Sequence, residues 1–169
     1  SVLDHVPDAR LRIAGRAVPA LLDRLPEAAR PSVELVGVLG DEALVDAYRS
    51  AAATVAPAAY EALGLATLES LACGTPVAGA DSGATPDLLA EGTGVTFAPG
   101  DPDACAKAVV LALQLAEDPD TGRRCRAAAE PFGWDRVVAD VLPARDWEKA
   151  FAAAESAGTG KIILDWTEL

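Results

Sequence analysis

Short apolar runs alternate along this chain with stretches of helical spacing. Leu11 to Ala14 is an apolar run ending at Gly15, consistent with a buried strand. The stretch 17–29 carries leucines at helical spacing and is broken by Pro26, with Pro31 just beyond. Residues 33–37 (VELVG) form a second strand candidate, and 41–53 a helix with Asp41 as N-cap and Leu44, Ala47, Tyr48 and Ala51 on one face. TVAP at 54–57 predicts a third strand halted by proline, and a helix follows from about Gly64 to Cys73. The alternation continues with 75–80, a short helix around Pro86 to Ala90, and 94–98. Asp101 with Pro102 then caps a long helix through Ala116, and 119–130 and 134–142 add further helix.

Short all-apolar strands alternating with helices predict an α/β fold, a Rossmann-like doubly wound parallel sheet covered on both faces. At 169 residues with 51% hydrophobic positions and a mean hydropathy of +0.21, the chain can bury a sizeable core. A net charge of -12 and a pI near 4.4 repel phosphate polymers, so no nucleic-acid partner is expected. No apolar stretch reaches the roughly 18 residues of a membrane helix. Three cysteines without paired spacing, Cys73, Cys105 and Cys125, point to a reducing compartment. The expected location is therefore cytoplasmic, or peripheral to the membrane in a full-length protein. With His5 as its one histidine, the chain offers no histidine-rich metal site, and no metal or cofactor is expected. It contains no methionine and opens in mid-pattern, so we read it as a piece of a longer protein.

Parallel sheets bind ligands at the carboxyl ends of their strands, beside helix N-termini. The segment EALGLATLESLACGTPV, from Glu61 to Val77, lies at such a point and sets Glu61 eight positions before Glu69. A helix starting near Gly64 presents free N–H groups and a positive dipole end, which favour a phosphate. Gly64 permits close approach of that phosphate to the backbone. Glu69, over a turn into the helix, is placed to accept hydrogen bonds from paired sugar hydroxyls, and Glu61 to face whatever the phosphate carries. A nucleotide joined to a sugar fits this arrangement.

With YRSAAATVAP before these residues and ACGTPV after them, the sequence resembles the nucleotide-sugar-binding C-terminal half of retaining GT-B glycosyltransferases of the E-x7-E group, similar to glycosyltransferase family 4. The likeness runs from about residue 8 to 142 and includes LRIAG, GVTFAPGDPDACAKAV and FGWDRV. It implies that Glu61, the catalytic candidate, lies beside the transferred sugar and that Glu69 holds the nucleotide ribose. The backbone of Leu63, Gly64, Leu65 and Ala66 would serve the sugar and diphosphate, and Val38 and Leu39 would border the base. The donor would be a nucleotide-diphosphate sugar and the acceptor a sugar, lipid or small molecule. It does not make Glu61 a nucleophile.

Where Leu63 stands the family usually has an aromatic residue, and near Ser82, Gly83 and Asp87 it often has paired glycines and a glutamate. The family's first strand and helix of this half, with an arginine and lysine that clamp the diphosphate, would precede Ser1, as would the acceptor-binding N-terminal domain. A domain at 1–142 and a tail at 143–169 are therefore expected. Residues 146–166 resemble the C-terminal helix and strand of zinc-dependent, threonine dehydrogenase-like medium-chain dehydrogenases, without the ligands or loop of that activity. Three readings stay open: a donor-binding domain incomplete as an enzyme, a non-catalytic remnant or fusion, and a GT-B nucleotide-sugar epimerase relative. In the order 3-2-1-4-5-6 the missing strand is central. The strands at 11–14 and 54–57 would then pair directly, stay apart, or receive the tail strand 161–166 between them.

Overall fold

The computed structural model describes residues 1–16, 20–133, 141–143, 145, 148 and 163–165. Two compact units divide the chain, Ser1–Ala129 and Glu130–Leu169.

In the first unit, β1 (Leu11–Ala14) pairs in parallel with β2 (Val33–Gly37), Leu11 opposite Val33 and Ile13 opposite Leu35. A second parallel sheet has the order β3 (Thr54–Ala56), β4 (Val77–Ala80), β5 (Gly94–Phe97). The strands fall where the apolar runs predict them. Between β1 and β2 the described residues form a short helix, α1 (Ala20–Asp23), and a 3-10 turn over Glu27–Ser32 that contains Pro31. Proline removes an N–H and clashes with the preceding turn, which keeps this region from becoming one helix.

α2 (Asp41–Ser50) follows β2, with Gly40 rather than Asp41 as its N-cap. Asp41 lies one residue inside, in the first turn, where its charge favours the helix dipole instead of capping an N–H. α3 (Leu65–Cys73) links β3 to β4, and α4 (Thr85–Leu88) links β4 to β5. α5 (Pro102–Leu115) starts as its sequence predicts: the Asp101 carboxylate accepts from the N–H groups of Asp103 at 3.0 Å and Ala104 at 2.9 Å. α6 (Thr121–Ala129) is secured at its start by Thr121, whose hydroxyl donates to the Leu115 carbonyl at 2.6 Å.

β4 is buried at all four positions, and its alternation divides the core between the two faces of the sheet. Ala78 and Ala80 pack with Phe97, Ala108 and Ala112, which brings α5 onto one face. Val77 packs with Leu71 and Cys125, which brings α3 and α6 onto the other. Burial pushes the Cys125 thiol up to about 11, so this cysteine is an apolar filler and not a nucleophile. The β1–β2 pair differs, since neither strand contains a buried residue.

β1 and β3 belong to separate sheets, so direct closure does not occur. The tail strand is hydrogen-bonded to neither of them. In the second unit β7 (Ile163–Asp165) pairs in parallel with β6 (Val141–Pro143), Val141 opposite Ile163 and Pro143 opposite Asp165. A parallel pair needs a connection of a dozen or more residues, and residues 144 to 162 separate the two strands in the sequence. This pairing corrects the helical reading at residues 141 and 142, where Val141 and Leu142 instead supply strand-forming apolar positions. The expected helix over 134–140 and most of the expected tail helix over 146–157 lie outside the described residues. Among the described residues, no helix is long and apolar enough to cross a membrane.

Leu71 is fully buried whereas Leu111 is 47% exposed. Leu71→Ala is expected to cost about 2–5 kcal/mol of unfolding free energy, as for deletion of a well-packed leucine. Leu111→Ala should change stability by only about 0.5 kcal/mol. Urea denaturation of the two variants checks this, and similar costs would contradict the described core.

Candidate functional site at the start of helix α3

The loop from β3 to α3 holds its shape through Glu61. The Glu61 carboxylate Oε1 accepts the Gly64 N–H at 3.1 Å, so the side chain folds back over the turn that opens α3. Gly64 itself is in the left-handed conformation, with φ 75° and ψ 43°. This conformation favours glycine, and a Cβ there would also stand 2.8 Å from Leu88 Cδ1, which would have to shift.

The same loop is fastened to the turn after β4. The Ala84 N–H donates to the Glu61 carbonyl at 3.3 Å, and the Ser82 hydroxyl donates to the Ala58 carbonyl at 3.1 Å. Gly83, at φ 53°, lies so close to the Glu61 carbonyl that a Cβ on it would overlap that oxygen. Ser82 and Gly83 thus act on Glu61 through backbone placement, a role that residue spacing alone does not reveal.

The helix that follows leaves Leu65, Ala66 and Thr67 with N–H groups that have no acceptor one turn back, and no side chain caps them. Gly64 is buried, while Leu63 and Leu65 are 52% and 56% exposed and Ala66 is exposed. Thr67 Oγ1, in this first turn, is the one buried side-chain polar atom among the described residues without a hydrogen-bond partner. Glu69 lies four residues after Leu65, on the same side of the helix, and is exposed.

Glu69 is also held. The Tyr48 hydroxyl, from the last turn of α2, donates to Glu69 Oε2 at 3.0 Å. Tyr48 is half-buried, and its ionisation is pushed well above the ordinary tyrosine range. Burial is the larger cause, followed by the hydrogen bond to Glu69, the charge of that carboxylate, and Cys73. The sequence shows Tyr48 only as one member of an apolar helix face. Its hydroxyl was the signal, since a buried phenol requires a partner.

Val38 and Leu39 lie in the turn between β2 and α2, also at a strand's carboxyl end; Val38 is 74% exposed and Leu39 half-buried. Among the described residues no hydrogen bond joins that turn to Glu61 or Glu69. Nor does any group of three or more His, Cys, Asp or Glu side chains converge as a metal site among them.

Folded Tyr48 keeps its proton to higher pH than the unfolded chain, in which tyrosine ionises near about 10. Its contribution to stability is therefore fully present below about pH 10 and is lost as pH rises beyond it. In Tyr48→Phe the alkaline decline of stability should be shallower. Urea midpoints measured from pH 8 upward check this; the same slope in both proteins would refute the contact.

Residues 1–115 match the family model described as glycosyl transferases group 1. A GDP-mannose-dependent α-(1-6)-phosphatidylinositol dimannoside mannosyltransferase from Mycobacterium tuberculosis is 37% identical over 145 residues, covering 84% of this chain and 37% of that protein. Sulfoquinovosyl transferase SQD2 from Arabidopsis thaliana is 33% identical over 147 residues, covering 83% of this chain and 28% of that protein. Among solved structures, the sucrose-phosphate synthase of Thermosynechococcus elongatus superposes with a TM-score of 0.71 at 25% identity, covering 92% of this chain and 41% of that one. The chain thus spans less than half the length of each of these relatives. It belongs to the glycosyl transferases group 1 family, and its parallel α/β fold is a fragment of the GT-B glycosyltransferase fold.

Proposed function

We propose that this chain is the donor-binding part of a retaining glycosyltransferase and takes a nucleotide-diphosphate sugar at the start of α3. The observation that carries the reading is the placement of the two carboxylates, one on the entry loop of this helix and one on the helix itself. Glu61 is tied to the opening N–H group at Gly64, and Glu69 is exposed one turn past Leu65. Together they form the E-x7-E pair.

The chemistry follows from what each position offers. Free N–H groups at Leu65 and Ala66, with the positive end of the helix dipole, suit a diphosphate. Glu69 is acceptor-only when ionised and suits the two O–H donors of a ribose. Glu61 lies on the loop side of the phosphate position, beside the sugar to be transferred. Its hydrogen bond to Gly64 leaves Oε2 available for a sugar hydroxyl. Leu63 contributes backbone and an exposed apolar side chain next to that sugar, and the turn at Val38 and Leu39 borders the base. The Mycobacterium tuberculosis relative is GDP-mannose-dependent, which supports a nucleotide sugar as the donor class.

Acceptor groups would come from a part of the full-length protein outside this chain, as would further charge on the diphosphate. Transfer requires donor and acceptor to be held together in near-attack geometry. The chain by itself should therefore show no glycosyl transfer above background with UDP-, GDP- or ADP-sugars. Measurable turnover in a product assay would overturn its reading as an incomplete enzyme.

Glu69→Ala should weaken binding of the cognate nucleoside diphosphate by about 1.5–3 kcal/mol, the usual worth of hydrogen bonds to a charged group. Calorimetry or NMR titration measures it. Unchanged affinity would remove Glu69 from the donor site.

A further inference from the structure

A glutamate on a helix surface ordinarily samples many rotamers, and a ligand that uses it must order it. Glu69 is restrained before any ligand arrives, because the Tyr48 hydroxyl donates to its Oε2 at 3.0 Å. The two residues come from different helices, and their relative placement is set by a third residue. Thr75, buried in the turn after α3, donates through its hydroxyl to the Tyr48 carbonyl at 2.7 Å. Its own carbonyl accepts the hydroxyl of Ser70, the neighbour of Glu69, at 3.0 Å. Ser70 Oγ also lies 2.7 Å from Thr54 Oγ1 at the start of β3. The backbone of Tyr48 and the side chain next to Glu69 are thus both fastened to Thr75, and the phenol meets the carboxylate across a closed set of bonds.

We propose that Tyr48 is the positioning residue for ribose recognition: it holds Glu69 through Oε2 and leaves Oε1 turned to accept the paired hydroxyls of a nucleotide ribose. This rests on the donor-site reading of Glu69 given above. The phenol touches no ligand in this scheme. It uses one acceptor position of the carboxylate and lowers the ordering cost of the rest. Its effect is therefore on the difference between a ribose and a sugar lacking those hydroxyls, not on nucleotide affinity in general.

The test compares the uridine, guanosine and adenosine 5′-diphosphates with their 2′,3′-dideoxy counterparts by NMR titration of the chain. The wild type should prefer the ribonucleotide of its cognate base, and Glu69→Ala should abolish that preference. Tyr48→Phe, which keeps the ring, should reduce the preference about three- to tenfold, the worth of one hydrogen bond. Its affinity for the dideoxy compound should stay unchanged. Glu69→Asp, one methylene shorter and drawn away from the phenol, should lose a similar factor. Adding Tyr48→Phe to it should cost nothing further, since the interaction is already gone.

A Tyr48→Phe protein that retains the full ribose preference, while Glu69→Ala loses it, overturns the positioning role and leaves the donor-site reading standing. Equal loss of affinity for ribo and dideoxy nucleotides in Tyr48→Phe overturns it too, since that marks a purely structural residue. If Glu69→Ala keeps the preference, or no nucleotide binds at all, the donor-site reading falls and the role of Tyr48 falls with it.

Discussion

The buried strand β4 is the constraint on which the first unit depends. Its four residues are covered on both faces, Ala78 and Ala80 by α5 and Val77 by α3 and α6. No polar side chain can be accommodated there, and the small alanines let the helix on that side approach closely. On the other face the packing of Leu71 on Val77 fixes where α3 lies against the sheet, and therefore where its N-terminus opens. The turns that follow β3 and β4 are then near enough to lock together, Ser82 to Ala58 and Ala84 to Glu61. The orientation of Glu61 is thus a consequence of core packing on the far side of the same helix.

What the chain reveals before folding follows the range of each interaction. β3, β4 and β5 are legible because a strand covered on both faces must be a short continuous apolar run. The start of α5 is legible because Asp101 and Pro102 act on their immediate neighbours. The tie between Glu61 and Gly64 spans three residues, and it too could be read from a glutamate before a helix-opening glycine. Tyr48 and Glu69 are 21 residues apart, and their contact exists only because α2 packs on α3. The apposition of Gly83 and Glu61 is of the same kind. Residues 141 and 142 show the opposite failure: helical spacing is present, but a parallel partner at 163 and 164 overrides it. Local propensity is a weak prior against such pairing.

Family membership and site geometry support one another without being the same claim. The matches cover most of this chain and less than half of each relative, so they speak to the domain. The particular contacts belong to the structure. Its two carboxylates are constrained by different means, Glu61 by backbone N–H and loop contacts and Glu69 by a phenol from another helix. Two independent restraints allow one carboxylate to change its surroundings while the other stays in place.

The β1–β2 pair has a different consequence. It contributes no residue to the sealed interior, and β1 is tied to α2 through Arg12, which donates to the Ala47 carbonyl at 3.2 Å and the Ser50 hydroxyl at 2.8 Å. Such a segment should open at a free energy below that of global unfolding, and its amides should exchange with solvent ahead of those in β4. The turn carrying Val38 and Leu39 hangs from this loosely held strand pair, whereas Glu61 and Glu69 are borne on α3 and its entry loop. If the proposed donor site spans both, it is assembled from a cooperative half and a labile half, and a ligand that engages both must freeze the second at its own expense.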